Sequence, residues 1–322
     1  MISISCDNLR LSFGIDVILD TVSFSLNEGD RLGIVGVNGA GKSTLFRLIT
    51  GEYRQDSGAV YIAKDKTVGF LEQNTGLQST KSVYEEMLLA FPALCAAEEK
   101  LSSIEAEIAS YETEHKPHDE AFDRLVANFS ALSESFEAEG GYSYKNRIRA
   151  MLTRLGFGED LWSIPIDKLS GGQKTRLALV RLLLQEPDIL MLDEPTNHLD
   201  IDTLAWLEEH LKSYKKTILV VSHDRYFLDK IANRILEIEH GRGTMYNGNY
   251  SSYLEQKSKN REIEEKHYQN QQREIARIEA YIEQQRRWNR ERNIIAAESR
   301  QKQLDKMAMM SLSVSLLKLN FI

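Results

Sequence analysis

Apolar and polar positions alternate at the start of the chain. Val22, Phe24 and Leu26 fall two residues apart and run into Glu28-Gly29-Asp30, a pattern that predicts antiparallel strands and a turn over residues 1–30. Short unbroken apolar runs come next in kind. Arg31-Leu32-Gly33-Ile34-Val35 and Ile189-Leu190-Met191-Leu192 read as strands, and Thr217-Ile218-Leu219-Val220-Val221 as a buried strand of parallel type. A further strand pair is expected over residues 59–62 and 67–71, with Lys64-Asp65-Lys66 between them. Helical spacing follows the first run at Leu45, Leu48 and Ile49, and recurs at Leu204, Leu207 and Leu211.

The middle of the chain is helical. Leu101, Ile104, Ile108 and Tyr111 fall on one stripe, Lys116-Pro117-His118 interrupts it, and Phe122, Leu125, Val126, Phe129, Leu132 and Phe136 form a second stripe ending at Gly140-Gly141. Two amphipathic helices around a short break predict an antiparallel helical hairpin. From Tyr253 to Lys306 glycine and proline vanish, Gln, Glu, Arg and Lys dominate, and Ile275, Ile278 and Ile282 leave a narrow apolar stripe. That stretch predicts long helices, with a hairpin turn near residues 288–292. Strands interleaved with helices make the fold class α/β.

Two motifs sit where these elements change. Gly36-Val37-Asn38-Gly39-Ala40-Gly41-Lys42-Ser43-Thr44 joins a short strand to a helix and matches the P-loop pattern. Its glycines let successive backbone N–H groups point at phosphate oxygens, Lys42 adds a point charge, and the Ser43 hydroxyl can sit on Mg²⁺. The second motif runs from Leu169 to Asp200, LSGGQKTRLALVRLLLQEPDILMLDEPTNHLD. Ser170-Gly171-Gly172-Gln173 opens a helix, where free N–H groups and the helix dipole suit a phosphate. The strand at residues 189–192 ends in Asp193 and Glu194, at the carboxyl end where α/β sheets bind their ligands. His223 likewise follows the strand at residues 217–221.

The order of P-loop, LSGGQ and LDEP resembles the nucleotide-binding domain of ATP-binding-cassette proteins. The wording LSGGQKTRLALVRLLL with DEPTNHLD resembles the ABC-F branch, whose members act on ribosomes, and the likeness covers residues 1 to about 306. It implies an ABC-type P-loop NTPase fold with an antiparallel β subdomain, a helical subdomain and a long-helix linker. Residues 1–253 would be the nucleotide-binding domain, with an arm inserted in the helical subdomain at about 83–160. Residues 254–306 would be a charged helical linker.

The same resemblance implies roles and cofactors. ATP phosphates would lie on Gly36, Asn38, Gly39, Ala40, Gly41, Lys42, Ser43 and Thr44, with Mg²⁺ held by Ser43, Gln73 and Asp193. Glu194 would polarise the attacking water and His223 would sense the γ-phosphate. Ser170, Gly171, Gly172 and Gln173 would complete the nucleotide site of an opposing ABC domain in a head-to-tail sandwich. Phe13 has two readings that stay open, stacking on adenine and packing in the core.

Composition narrows the setting. Of 322 residues, 42% are hydrophobic and 27% charged, and the net charge is −8, which argues against indiscriminate nucleic-acid binding. The exception is local: Arg286, Arg287, Arg290, Arg292, Arg300, Lys302 and Lys306 face only Glu291, Glu298 and Asp305. A basic segment on an acidic protein predicts one directed contact, and the family likeness assigns it to tRNA at the ribosome. Cys6 and Cys95 fit neither a metal pattern nor a disulfide framework. No charged n-region leads into an apolar run at the start, and no apolar stretch reaches the roughly 20 residues that span a bilayer, so a cytoplasmic protein is expected.

One P-loop, one LSGGQ and one LDEP are present, without internal repeat. A full ABC-F protein would carry a second set after the linker. The expectation is therefore a chain truncated there, whose sandwich partner is a second copy or the missing half. Residues 307–322, MAMMSLSVSLLKLNFI, read as an atypical disordered tail of gene-end origin. The expected activity is ATP hydrolysis acting on the ribosome, in translation or antibiotic protection. The competing readings are the ATPase subunit of a transporter and an ATP-binding fragment without activity.

Overall fold

The computed structural model describes residues 1–72, 77–113, 120–197 and 199–287. Its frame is a six-stranded sheet in the order β5-β6-β7-β3-β8-β9. Strands β3 (Arg31–Val35), β5 (Val68–Leu71), β6 (Ile189–Asp193), β7 (Thr217–Val221) and β8 (Arg234–Glu239) run parallel, and β9 (Arg242–Asn247) closes the edge antiparallel to β8. The unbroken apolar runs arise because both faces of this sheet are covered. Leu190, Leu192, Ile218 and Val220 enter one core, while Ile189, Met191, Leu219 and Val221 enter the other.

The alternating N-terminal segment behaves as its pattern predicts. β1 (Ile2–Phe13) and β2 (Asp16–Asn27) pair antiparallel, and with β4 (Ser57–Ile62) they form a three-stranded sheet in the order β2-β1-β4. Its inward residues Ile4, Leu9, Leu19, Val22 and Leu26 share one core with α1 (Lys42–Ile49) and with Leu32 and Ile34 of β3. The expected pairing of residues 59–62 with 67–71 does not occur. β4 pairs with β1, while β5 joins the large sheet beside β6. The linking turn, with Asp65 at φ 68° and the Lys66 N–H on the Ala63 carbonyl, carries the chain between sheets. Gly69 explains the destination, since a Cβ there would lie 2.4 Å from Leu182 and 2.6 Å from Pro187.

Helices α2 (Val83–Leu88), α3 (Pro92–Thr113), α4 (Glu120–Ala138), α5 (Tyr144–Arg154) and α6 (Gly171–Gln185) follow β5. α3 and α4 form the expected hairpin, with the rings of Tyr111 and Phe122 at 5.4 Å near its tip. α6 is tied to α2 by Arg181 on the buried Glu86 carboxylate at 2.6 Å. α7 (Ile201–Ser213) and α8 (Arg225–Ile231) flank β7 in the chain and are joined by Lys230 on buried Glu208 at 2.5 Å. No described helix is long and apolar enough to cross a membrane.

α9 (Tyr250–Arg287) is one continuous helix whose root is fixed to the large sheet. The buried Glu237 carboxylate of β8 accepts from the Tyr253 hydroxyl at 2.6 Å, from Lys257, and from the Tyr246 hydroxyl at 3.3 Å. The expected hairpin turn at residues 288–292 and the tail at 307–322 lie outside the described residues. Removing one partner of a buried ion pair strands the others, at about 3–5 kcal/mol. Glu237→Ala is therefore expected to lower stability by about 3 kcal/mol in urea unfolding and to speed amide exchange at the root of α9.

Candidate functional site

The first wall of the site is built by β3 running into α1. Ala40 N–H donates to the Val37 carbonyl at 3.1 Å, and Gly41 caps α1 at φ 94°. That conformation favours glycine, and space demands it as well, because a Cβ at Gly41 would meet Leu19 at 2.8 Å and Ile18 at 3.0 Å. Gly36 has no such φ but sits on β8: a Cβ there would lie 2.5 Å from the Ile238 carbonyl oxygen. The buried Lys42 ammonium donates to the Gly36 and Val37 carbonyls at 2.8 and 3.0 Å. Burial pulls its pKa down, opposed by the charges of Glu194 and Asp193.

The second wall is the carboxyl end of β6. Asp193 and Glu194 are both buried, and burial pushes both carboxyls up from their ordinary values. The Ser43 hydroxyl hydrogen-bonds Asp193 and opposes that shift; the His223 N–H, donating to Glu194 Oε2 at 3.2 Å, does the same for Glu194. Glu194 takes φ 52°, a left-handed conformation uncommon for a side chain of its size. Its N–H donates to the Val221 carbonyl at 2.9 Å, and its own carbonyl accepts from Asn197 at 3.3 Å. The strained backbone thus turns at the catalytic candidate, a place where such strain recurs.

His223 follows β7, with Nε2 3.6 Å from Glu194 Oε1. Asp224 next to it caps α8, accepting from the Tyr226 and Phe227 N–H groups at 2.9 and 3.0 Å. The three walls enclose a cleft of about 500 Å³, lined by Ile18, Asn38, Gly39, Gly41, Lys42, Ser43, Thr44, Asp193, Glu194, Val221 and His223. Asp193 Oδ2 and Glu194 Oε1 are buried in it without a hydrogen-bond partner. Two orphaned carboxylate oxygens beside a hydroxyl and an ammonium form the donor set that a hard divalent cation and phosphate oxygens require.

Not every expected residue converges there. Gly36 lines a neighbouring cavity of about 510 Å³ between the P-loop, His223 and the root of α9. Ala40 packs against the core under the loop. Phe13 is 49% exposed at the tip of the β1–β2 hairpin and lines neither cavity, although Ile18 of the same hairpin does line the cleft. Gln73 lies outside the described residues.

Ser170, Gly171, Gly172 and Gln173 stand apart at the start of α6. The Ser170 hydroxyl accepts from the Gln173 N–H at 3.3 Å, and the Gln173 side chain accepts from the Ser170 N–H at 2.9 Å. This reciprocal cap was readable as S-x-x-Q before an apolar run. It occupies two N–H groups of the turn and leaves Gly171 open, with nothing within 4 Å of a Cβ. None of these residues lines the P-loop cleft. Ile18 and Val221, which complete the cleft, carry no mark of their own in the sequence, being apolar residues in strands.

Comparison with known proteins agrees with this geometry. A family model described as "ABC transporter" matches residues 19–197, and a second with the same description matches residues 236–320. The chain is 42% identical over 311 residues to the protein YdiF of Bacillus subtilis, covering 97% of this chain and 47% of that one. It is 37% identical over 267 residues to the energy-dependent translational throttle protein EttA of Haemophilus influenzae, covering 83% of this chain and 46% of that one. The chain thus spans about half the length of these curated relatives. A solved structure titled as the ATP binding subunit of an ABC transporter shares the fold, with a TM-score of 0.55 at 19% identity over 76% of this chain and 89% of that one. With a P-loop, a capped signature helix and an acid pair in this register, the chain belongs to the ATP-binding-cassette family of ATPase domains.

Proposed function

We propose that this chain binds and hydrolyses ATP in an ABC sandwich and acts on the ribosome, as an ABC-F-type protein. The observation that carries the hydrolytic part is the Glu194 carboxylate: buried at the end of β6, held by the His223 N–H, and facing the same cleft as Lys42 and Ser43. The P-loop amides and Lys42 bind the phosphates, with Ser43 and Thr44 at the opening of α1. Ser43, Asp193 and Gln73 would hold Mg²⁺, which when bound supplies charge neutralisation at the phosphate oxygens. Glu194 orients the attacking water and accepts its proton, and His223 sits beside Glu194 to contact the γ-phosphate.

The Ser170–Gln173 turn serves the nucleotide of a second ABC domain, in another copy of this chain or in a further segment. Residues 1–253 act as the nucleotide-binding domain, the hairpin within about 83–160 as its arm, and residues 254–306 as the linker. The ribosomal part is supported by the likeness to a relative named as a translational throttle and by the basic run at residues 286–306.

Three outcomes follow. Glu194→Gln keeps the cleft's shape but removes the base, so turnover should fall by about 10²–10⁴-fold with ATP affinity retained. Steady-state phosphate release and equilibrium nucleotide binding read the two quantities separately. Gly36→Ala drives a Cβ against the Ile238 carbonyl, and at about 1–3 kcal/mol for overpacking it should weaken nucleotide binding roughly tenfold. Glu194→Gln should also pellet with ribosomes in an ATP-dependent manner; recovery in membranes, with none in the ribosomal pellet, would sink the ribosomal reading in favour of a transporter subunit.

A further inference from the structure

β6 and β7 stay paired as far as the Glu194 N–H on the Val221 carbonyl at 2.9 Å, and beyond that point the two chains part. One turns through Pro195-Thr196-Asn197, directly after Glu194; the other turns through Ser222-His223-Asp224. Two links that involve side chains span the gap between these loops. The Glu194 carboxylate accepts from the His223 N–H at 3.2 Å, and the Thr196 and Ser222 hydroxyls lie within hydrogen-bond reach at 3.4 Å. Glu194 Oε1 is buried without a hydrogen-bond partner, so the His223 N–H on Oε2 is the bond that orients this carboxylate among the described residues.

Ser222 is buried, and it does more than meet Thr196. Its hydroxyl oxygen accepts from the Asp224 N–H at 3.1 Å, which closes a tight turn around His223. A serine hydroxyl has one proton and two lone pairs, so accepting from Asp224 leaves the proton for Thr196. Asp224 is fixed in turn as the cap of α8, where its carbonyl accepts from the Leu228 N–H at 3.1 Å. His223 is thus held between two anchored neighbours. Its imidazole stays exposed, while its backbone N–H is the group they aim at Glu194. Neither Thr196 nor Ser222 lines the P-loop cleft.

We propose that Ser222 is a positioning residue for hydrolysis, with Thr196 as its partner across the loops. Its hydroxyl shapes the turn that aims the His223 N–H at the Glu194 carboxylate, and so holds that carboxylate where it orients the attacking water. This rests on the reading of Glu194 as the base and extends it to two groups that touch no nucleotide. Position matters at this point because a displacement of about 1 Å in a reacting group costs on the order of 10²-fold in rate.

The test follows ATP turnover and ATP binding by the full chain, with amide hydrogen exchange as a readout that needs no catalysis. Ser222→Ala should lower kcat about tenfold while KM and ATP affinity stay at the parent's values. Thr196→Val, which keeps the shape and loses the hydroxyl, should lower kcat about three- to tenfold, the worth of one hydrogen bond. Thr196→Ser restores the hydroxyl and should turn over like the parent. The double variant Ser222→Ala, Thr196→Val should be no slower than Ser222→Ala alone, since both act through one turn. In nucleotide-free protein the His223 amide, which bonds neither hydroxyl, should exchange at least about fivefold faster in Ser222→Ala and in Thr196→Val, with β6 and β7 protected as in the parent.

If Ser222→Ala turns over ATP at the parent's rate, the positioning role is overturned while the role of Glu194 stands. A fall in kcat without faster exchange at His223 overturns the route through that N–H. Equal losses of kcat and ATP affinity, or lost protection in β6 and β7, would mean a general loosening of the site and also overturn the proposal. A parent that releases no phosphate overturns the hydrolytic reading itself. Exchange at His223 then decides separately whether the hydroxyl pair aims the N–H: faster exchange in both variants upholds it, and unchanged exchange overturns it. Should Ser222→Ala melt below the assay temperature, Thr196→Val and its serine counterpart, which leave the Asp224 bond in place, carry the same expectation.

Discussion

Everything at this site depends on the register of three parallel strands. Val221 of β7 stands opposite Ile34 of β3 on one side and Asp193 of β6 on the other. The P-loop starts two residues beyond Ile34, Glu194 directly after Asp193, and His223 two residues beyond Val221. One row across the sheet therefore lines up the phosphate loop, the acid pair and the histidine. A slip of one residue would turn Asp193 to the other face and pull the walls apart. The slip is prevented by packing, since successive residues of β6 and β7 belong to different cores on opposite faces. Close approach adds to it: a Cβ on Gly33 would meet Ile235 at 2.7 Å.

Such a rigid frame can carry unfavourable local features. The Lys42 ammonium and two carboxylates are buried together, with one oxygen of each carboxylate left without a partner, and Glu194 takes a backbone conformation that disfavours its side chain. Each would destabilise a loop that could relax, by an amount comparable to a lost hydrogen bond or more. At the end of a fully buried strand, relaxation would require breaking β6 from β7. The site is thus pre-organised for positive and negative charge supplied from outside, a role these groups cannot fulfil for one another.

What could be read from the sequence followed from how directly a residue's surroundings are local. The P-loop, the LSGGQ turn and the acid pair were legible because glycines, a helix start and a strand end are properties of consecutive residues. The α3–α4 hairpin was legible for the same reason, from stripes at helical spacing. The partner of β5 was not: residues 59–62 and 67–71 look like a hairpin, and what separates them is the fit of Gly69 under Leu182 and Pro187, more than a hundred residues away. Phe13 stayed open between core and ligand because its ring lies against Tyr53, a residue far along the chain that its own neighbours do not announce. The Glu237 cluster went unread since its tyrosines and lysine come from β9 and α9, at spacings with no pattern.

The signature turn sets the last constraint. Its two N–H groups nearest the cap are already used by Ser170 and Gln173, α6 is anchored to α2 through Arg181 and Glu86, and the turn lines no part of the chain's own cleft. A turn that is both rigid and remote cannot swing over to the P-loop of the same domain, so in the proposed sandwich it must meet a phosphate held elsewhere. Docking of that other domain would press on the face formed by the P-loop and the His223 loop. Both of these border the 510 Å³ cavity whose far wall is the root of α9. Glu237 ties α9 to β8, and a Cβ on Gly36 would lie 2.5 Å from the Ile238 carbonyl oxygen of that strand, so the P-loop and the root of α9 pack on the same strand. One strand thus seats both the phosphate loop and the long helix, and the buried contacts that stabilise the fold also fix the spacing between them.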